Sequence, residues 1–242
     1  MKKCNLSKLL EETPLTYYWI GFLLADGHIS NQTRLSVTLS LKDLEHLKKL
    51  QKFLQIENIR VEKQASISAM DSKIIRKFCK KFKINSNKTK YPPDLSFIKN
   101  KDLIDALKIG FIDGDGCIDN QTGRKDCKLR IKCYKSWLNN LLSLFGNCYI
   151  NNQGYAQTTI TNSIILKELK NKALALNLPI LSRKWDKIDI NFTSRQEIGQ
   201  LRILEVSKLL TQRKKNKEIA QYLNIGASAV SQIIKRNNLS YE

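Results

Sequence analysis

The 242-residue chain carries 42 Lys and Arg residues against 22 Asp and Glu residues, which gives a formal net charge of +20 at pH 7. Such an excess favours a polyanionic partner and argues against a protein whose basic residues serve only solubility. No run of 18 apolar residues occurs, so no membrane-spanning segment is predicted. The 42% of hydrophobic residues can build the core of one or two domains.

The cysteines and the first residues indicate a reducing compartment. No pair of cysteines has the CxxC spacing of a zinc or redox site, so we interpret them as reduced, packed thiols at positions 4, 79, 117, 127, 133 and 148. The N-terminal segment lacks the apolar stretch of a signal peptide. We therefore predict a cytoplasmic or organellar-matrix protein that is not secreted.

The first predicted element is a helix that ends in an acidic residue and a glycine. Thr13 and Pro14 form a helix start, with Thr13 as the cap and Pro14 at the first helical position. The segment then runs through WIGFLLADG at residues 19–27, with Asp26 before the final glycine. Gly21 and Ala25 are four residues apart and share one helix face, where small side chains allow a second helix to approach.

Strand and helix patterns alternate after this helix. Apolar and polar residues alternate through RLSVTLSLK at residues 34–42, which predicts a half-buried strand. Helical spacing covers residues 43–54 and 72–82, and a further strand pattern covers residues 59–69.

The same order of elements then recurs. KIGFIDGDG at residues 108–116 repeats the first phrase at a constant offset of 89 positions, since 115 − 26 = 89, and Asn100 is placed to cap its helix. A strand follows over 128–134, then a helix over 136–145, a hairpin over 148–161 that turns at 152–154, and a helix over 164–176. The repeat predicts two copies of one structural unit.

Two such helices packed side by side would bring Asp26 and Asp115 together at one end. Paired carboxylates are suited to hold a hard divalent cation. The alternative is two ordinary buried helices that each end at a glycine. The matching register of both copies, with Asp before Gly each time, favours the paired arrangement.

The two phrases resemble the paired LAGLIDADG motifs of homing endonucleases, in the single-chain form, over about residues 12–190. Neither copy matches letter for letter: Leu24 stands where the second copy has Asp113, and Gly114 stands where the first has Ala25. The resemblance implies an α+β fold and a monomer. Residues 1–98 and 99–195 would form two pseudo-symmetric αββαββα halves, each with a saddle-shaped antiparallel sheet that lies on DNA.

The resemblance also implies site residues. The last acid of each motif would bind the metal, Mg²⁺ or Mn²⁺, and the carbonyl of the preceding residue would approach it, so the implied ligands are Asp26, Asp115, Ala25 and Gly114. A basic residue at the rim of each centre is assigned to Lys90 and Lys184, with solvated lysines as the alternative. Asp113 is interpreted as a capping or supporting group.

Outward strand residues are predicted to contact DNA. A basic face on a strand is unusual for solubility alone and suits a sheet in a DNA groove. The predicted contacts of the first half are Arg34, Ser36, Thr38, Ser40 and Lys42. Those of the second half are Lys128, Arg130, Lys132 and Tyr134.

Residues 196–242 are predicted to form a small all-α tail after a linker over 186–200. Apolar spacing through 217–234 indicates two short helices around a turn at Asn224, a residue type that tolerates the left-handed conformation. The pattern resembles a helix-turn-helix, whose second helix would enter the major groove. Its predicted DNA contacts are Ser228, Ser231, Gln232 and Lys235. A helical cap without DNA contacts is the alternative.

These observations predict a site-specific endonuclease that uses a divalent metal to hydrolyse phosphodiester bonds in both strands of a long double-stranded DNA target. A second function stays open on the same scaffold, namely a non-cleaving nucleic-acid binder such as an intron maturase or a transcription regulator. A regulator that had lost cleavage need not keep both Asp26 and Asp115, and both are present.

Overall fold

The computed structural model of the protein describes residues 4–84, 87–120, 127–191, 193 and 195–240. Spatial contacts divide the chain into two compact units, Met1–Ile190 and Asn191–Glu242. The first unit contains both copies of the repeated phrase, and the second contains the predicted tail. The predicted boundaries at residues 98 and 195 stay predictions.

The first half follows the predicted αββαββα order. Its four strands form an antiparallel sheet in the order β1-β2-β4-β3. A 3₁₀ turn at Leu6–Leu10 comes before the first helix, and another at Leu41–Asp43 leads into the second. The elements in chain order are α1 (Pro14–Asp26), β1 (Gly27–Ser30), β2 (Arg34–Leu39), α2 (Leu44–Leu54), β3 (Arg60–Val61), β4 (Ala65–Met70) and α3 (Ser72–Lys81).

The second half repeats this order and forms a sheet of order β5-β6-β8-β7. Its elements are α4 (Lys101–Asp115), β5 (Gly116–Asn120), β6 (Cys127–Cys133), β7 (Cys148–Ile150), β8 (Ala156–Ile160), α5 (Ser163–Ala175) and α6 (Ser182–Trp185). The two antiparallel sheets with their flanking helices confirm the predicted pseudo-symmetric α+β fold.

One predicted helix is only partly helical. Two 3₁₀ turns, Lys135–Trp137 and Leu141–Phe145, stand where the sequence predicts a helix over 136–145. Between them the side-chain oxygen of Asn140 accepts the amide proton of Leu141 at 2.7 Å. Asparagine side chains compete in this way with the helical backbone, which explains the interruption.

The predicted helix starts are confirmed. The Thr13 hydroxyl accepts the Thr16 amide at 3.2 Å, and the Asn100 side chain accepts the Asp102 amide at 2.9 Å. Gly27 follows the end of α1 as the sequence predicts, has extended angles (φ −75°, ψ 144°) and begins β1 directly. A Cβ at Gly27 would lie 2.5 Å from the Leu23 carbonyl oxygen, so the tight helix-to-strand corner itself requires glycine.

Helices α1 and α4 pack together at the centre of the first unit. A Cβ at Gly21 would lie 2.0 Å from the Leu107 carbonyl oxygen, and one at Gly110 would lie 1.8 Å from that of Tyr18. The two helices therefore touch backbone to backbone at reciprocal positions. The apolar faces of β2 and β6 contact these helices and are buried, at residues Leu35, Val37, Leu39, Leu129 and Ile131.

The second unit contains α7 (Arg195–Thr211), α8 (Asn216–Tyr222) and α9 (Ala227–Arg236). They pack around Val206, Leu210, Ile219 and Val230. Helix α7 begins inside the predicted linker, because Arg, Gln and Glu at its start favour helix and Gly199 costs only about 1 kcal/mol against Ala.

The turn before α9 has the predicted conformation, since Asn224 adopts φ +50°. Its assignment to a helix-turn-helix stays a prediction. Within the described ranges, every helix is too short or too polar to cross a membrane.

Candidate active site

The crossing of α1 and α4 brings the two motif acids close together. A Cβ at Gly114 would lie 2.2 Å from the Cβ of Ala25 and 3.4 Å from Oδ2 of Asp26. The last turns of the two helices are therefore in contact, and Asp26 and Asp115 are the final residues of those turns. Small side chains at 25 and 114 permit this approach.

The two carboxylates share one site at the protein surface, where neighbouring groups partly shield them from water. Burial raises the pKa of Asp115 to about 6, the charge of Asp26 adds to the rise, and Lys88 and Lys184 oppose it. Burial also raises the pKa of Asp26, against the effect of the same two lysines. Both carboxylates are exposed, so the site is open to a ligand.

A lysine caps the end of each motif helix. Nζ of Lys184 donates to the carbonyls of Ile112, Asp113 and Gly114 at 2.9, 2.7 and 2.8 Å. In the first half, Nζ of Lys88 donates to the carbonyls of Leu24 at 2.5 Å and Ala25 at 3.1 Å. The last carbonyls of a helix lack hydrogen-bond partners within it and carry partial negative charge. A lysine there donates hydrogen bonds to them and compensates that charge. Burial lowers the pKa of both lysines.

In the first half the lysine at the helix end is not the predicted Lys90, whose role stays a prediction. The structure brings Lys88 to the helix end, whereas Lys90 lies exposed two residues further on. Both belong to the short run NKTK at residues 87–90. Sequence spacing does not distinguish them, because the number of residues between the motif acid and the later lysine differs between the two halves. The second predicted lysine, Lys184, lies at the site as expected and is only 6% exposed.

The donor set suits a hard cation. Among the described residues, no group of three or more His, Cys, Asp and Glu side chains could hold a metal. An ion at this site would depend on Asp26, Asp115, the carbonyls of Ala25 and Gly114, and oxygen from water or phosphate, which is the set that Mg²⁺ prefers. The charge of Asp26 raises the pKa of Asp115, so a cation between the two acids would relieve their repulsion. The residues therefore fit the metal that the resemblance implies.

Asp113 faces the core beneath this site. Its carboxylate accepts the Tyr18 hydroxyl at 2.6 Å, Nε1 of Trp185 at 2.6 Å and the Leu181 amide at 3.0 Å. Burial raises its pKa to about 6, although these three donors oppose the rise. This geometry agrees with a supporting group, because the carboxylate anchors the segment that carries Lys184.

Two further contacts connect the lysine segments to the opposite half. Arg183 donates through Nη2 to Oδ2 of Asp43 at 2.7 Å, and its Nε also donates to Asp43. Nε1 of Trp137 donates to the Thr89 carbonyl at 2.9 Å. Sequence patterns did not single out these residues, since nothing in the local spacing indicates a partner more than 40 residues away.

The predicted strand faces point outward. Arg34 and Thr38 of β2 and Arg130 and Lys132 of β6 are exposed, while Ser36 and Lys128 are half-buried. Ser40 and Lys42 lie exposed just beyond β2. Tyr134 lies just beyond β6 and lines a cavity of about 430 Å³ together with Ala25, Lys88 and Asp115.

Neighbouring strands add residues that the sequence patterns missed. Register places Ser66 beside Thr38, Ser68 beside Ser36, Thr159 beside Arg130 and Gln157 beside Lys132. On α9 of the second unit, the four predicted contact residues are all exposed, namely Ser228, Ser231, Gln232 and Lys235. Contact of any of these residues with DNA stays a prediction.

No protein-family model matches the chain, and no curated protein matches it. Among solved structures, the meganuclease I-SmaMI bound to uncleavable DNA is 15% identical, covers 82% of this chain and 98% of its own, and has a TM-score of 0.49. The LAGLIDADG homing endonuclease I-GzeII in complex with its DNA target is 11% identical, covers 87% and 97%, and also has a TM-score of 0.49. At these low identities the function of the chain depends on its own residues.

Proposed function

We propose that the protein is a site-specific DNA endonuclease that cuts both strands of a double-stranded target with the help of a divalent metal ion. The observation that carries the proposal is the pair Asp26 and Asp115, brought together by two crossing helices at one exposed site. The resemblance of the two motif phrases to those of single-chain homing endonucleases supports the same reading.

Phosphodiester hydrolysis needs positive charge next to the attacked phosphate. Asp26 and Asp115 would hold Mg²⁺ or Mn²⁺, which when bound polarises a phosphate and lowers the pKa of a water ligand. Lys88 and Lys184 hold further positive charge beside the two acids and keep the carbonyls of Ala25 and Gly114 in place. With one acid and one lysine contributed by each half, the site has the symmetry expected for attack on two antiparallel strands.

The sheets would hold the DNA backbone and bases. The outward face of the second sheet carries Arg130 and Lys132, which can contact phosphates or guanine edges. Asp119 pairs with Arg130 at 3.1 Å and thereby orients its guanidinium group. The exposed hydroxyl and cationic groups of β2 would contact phosphates and base edges in the other half of the target site.

Cleavage of a randomised duplex library tests the function. Full-length protein with Mg²⁺ should release a discrete set of ends that identify one target sequence, and EDTA should abolish release. Asp26→Asn and Asp115→Asn should prevent cutting and still bind the selected target. Asp94→Asn serves as the control, because Asp94 pairs with Lys83 on the surface at 2.6 Å, outside the site.

Three outcomes separate the possibilities. Parental cutting by both Asp→Asn variants would refute the assignment of the active site. Selective binding without cutting under any divalent metal would favour the non-cleaving binder. The absence of selective binding to any duplex would refute the endonuclease and the transcription regulator.

For the second unit we propose an auxiliary contact with the major groove through α9. Ser228, Ser231, Gln232 and Lys235 are exposed, while Val230 packs into the core. In the full-length protein, Lys235→Ala should lower the slope of log affinity against log salt by roughly 0.9 if Lys235 contacts a phosphate. Lys208→Ala, which changes an exposed lysine of α7 near Glu205, is the matched control. Equal slopes for both variants would favour a helical cap without DNA contacts.

A further inference from the structure

We infer that each half of the protein positions the lysine of the other half, through two contacts that act as separate clamps on the two strand-cutting centres. The inference deepens the proposed nuclease function and rests on it. It assigns positioning roles to Asp43 and Trp137, which lie at corresponding places in the repeat, at the end of the 3₁₀ turn after the second strand of each half.

The first clamp is a two-point ion pair. Asp43 belongs to the first half and is only 8% exposed, and both of its carboxylate oxygens accept from Arg183 of the second half. Asp43 comes immediately before α2, yet its side chain makes no capping hydrogen bond to that helix. The carboxylate therefore does not cap α2, and the ion pair fixes the backbone next to Lys184.

The second clamp is a single hydrogen bond from a buried ring. Trp137 belongs to the second half, and its ring stacks on Phe111 of α4 at a centroid distance of 5.5 Å. From this fixed position Nε1 donates to the carbonyl of Thr89, the neighbour of Lys88. The segment that carries Lys88 is thus held from the second half.

Each lysine lies near the acid of the opposite half, which matches the crossing of the two clamps between the halves. Lys88 and Trp137 line one cavity together with Asp115 of the second half. Lys184 donates to the Gly114 carbonyl at 2.8 Å, and a Cβ at Gly114 would lie 3.4 Å from Oδ2 of Asp26, the acid of the first half. Each half therefore holds the opposite lysine segment close to its own acid, and loosening one clamp should impair one centre only. A displacement of about 1 Å can reduce a catalysed rate by about 10²-fold.

A cleavage assay that distinguishes the two DNA strands tests whether each clamp serves one centre only. The substrate is a supercoiled plasmid with the target selected by the parental protein, and the readouts are nicked and linear DNA with the cut strand mapped by end sequencing. Asp43→Ala should accumulate plasmid nicked in one strand by at least about tenfold over the parent, and Trp137→Phe should accumulate the opposite nick. Arg183→Ala should reproduce Asp43→Ala, and the double variant should be no worse than either.

Matched controls separate positioning from loss of stability. Trp19→Phe removes a buried indole whose Nε1 has no hydrogen-bond partner among the described residues, so it reproduces the lost volume of Trp137→Phe without loss of a clamp. Asp94→Ala removes another Asp–cation pair outside the site. Both controls should cut the two strands at the parental ratio. Equal slowing of both strands by the two clamp variants, or the same strand bias in both, would overturn the inference.

Amide hydrogen exchange tests the clamps without any cleavage. Asp43→Ala should speed exchange in residues 181–186 and leave residues 87–90 unchanged, and Trp137→Phe should do the reverse. Unchanged exchange in both segments would overturn the clamps even if the parental enzyme cuts DNA. A parental protein that cuts no DNA would refute the proposed function, whereas the exchange pattern would still decide whether the clamps exist.

Discussion

The two halves agree closely where their helices meet and differ where each faces its own core. Gly21 and Gly110 make reciprocal backbone contacts, and Lys88 and Lys184 cap the two helix ends. The halves diverge two residues before each motif acid, where Leu24 is an apolar core residue and Asp113 is a buried carboxylate that accepts from three donors. The repeat therefore retains the residues that the contact between α1 and α4 and the positive charge at the two helix ends require.

The sheet faces differ in the same way. Small hydroxyl residues dominate the outward face of the first sheet, where Arg34 is held by Ser68 at 2.8 Å. Charged and aromatic groups dominate the second, where Lys132 lies 4.4 Å from the ring centroid of Tyr155. Two such faces would read different half-sites, so the comparison favours an asymmetric target.

The largest expected effect comes from a substitution that breaks the contact between α1 and α4. Gly110→Leu should lower the free energy of unfolding by about 3 kcal/mol or more, because the new side chain collides with the backbone of Tyr18, which cannot move aside. Gly199→Ala is the control, since a Cβ there meets open space in helix α7. Urea unfolding of both variants checks the prediction, and a parental midpoint for Gly110→Leu would contradict the close crossing.

The next effect makes the second half resemble the first. Asp113→Leu should cost about 2–3 kcal/mol, because it leaves the Tyr18 hydroxyl, the Trp185 indole and the Leu181 amide without their acceptor. Leu24→Met, a swap of similar volume at the corresponding place, should cost less than about 1.5 kcal/mol. Thermal unfolding of the two variants gives the difference, and equal losses would show that the network contributes little.

A smaller effect concerns a histidine that the first half buries. Burial and the charge of Lys49 lower the pKa of His46 to about 3, so the folded protein holds it neutral. Its contribution to stability is complete above the unfolded pKa near 6.5 and falls as the pH drops toward 3, by up to about 1.4 kcal/mol per pH unit. His46→Phe should flatten this decline in unfolding measurements between pH 7 and 4.5. An unchanged slope would locate the acid sensitivity elsewhere.

The smallest effect compares the two sheet faces. Lys132→Ala should reduce the salt slope of DNA binding by roughly 0.9, as expected for one lost phosphate contact, whereas Ser36→Ala should leave the slope unchanged. Fluorescence anisotropy at several salt concentrations measures both. Identical slopes for the two variants would mean that the second sheet does not hold the backbone more strongly than the first.

The residue patterns predicted most of the fold because its signals are local. Thr13 and Asn100 cap the motif helices as expected, and alternation located β2 and β6. Strands β1 and β5 escaped detection because each is short and starts directly at the glycine that ends a helix. The helix over 136–145 was wrong in part because a side-chain hydrogen bond at Asn140 outweighed the apolar spacing.

The sequence by itself determined the repeat, the two acids, the basic balance and most of the order of elements, since these depend on residue type and spacing. Only the tertiary structure decided which lysine reaches the first centre, what Asp113 supports, and how Asp43 and Trp137 reach across the repeat. These contacts join residues about 50 to 140 positions apart. Their partners are selected by the packing of whole halves against each other, which local spacing does not encode.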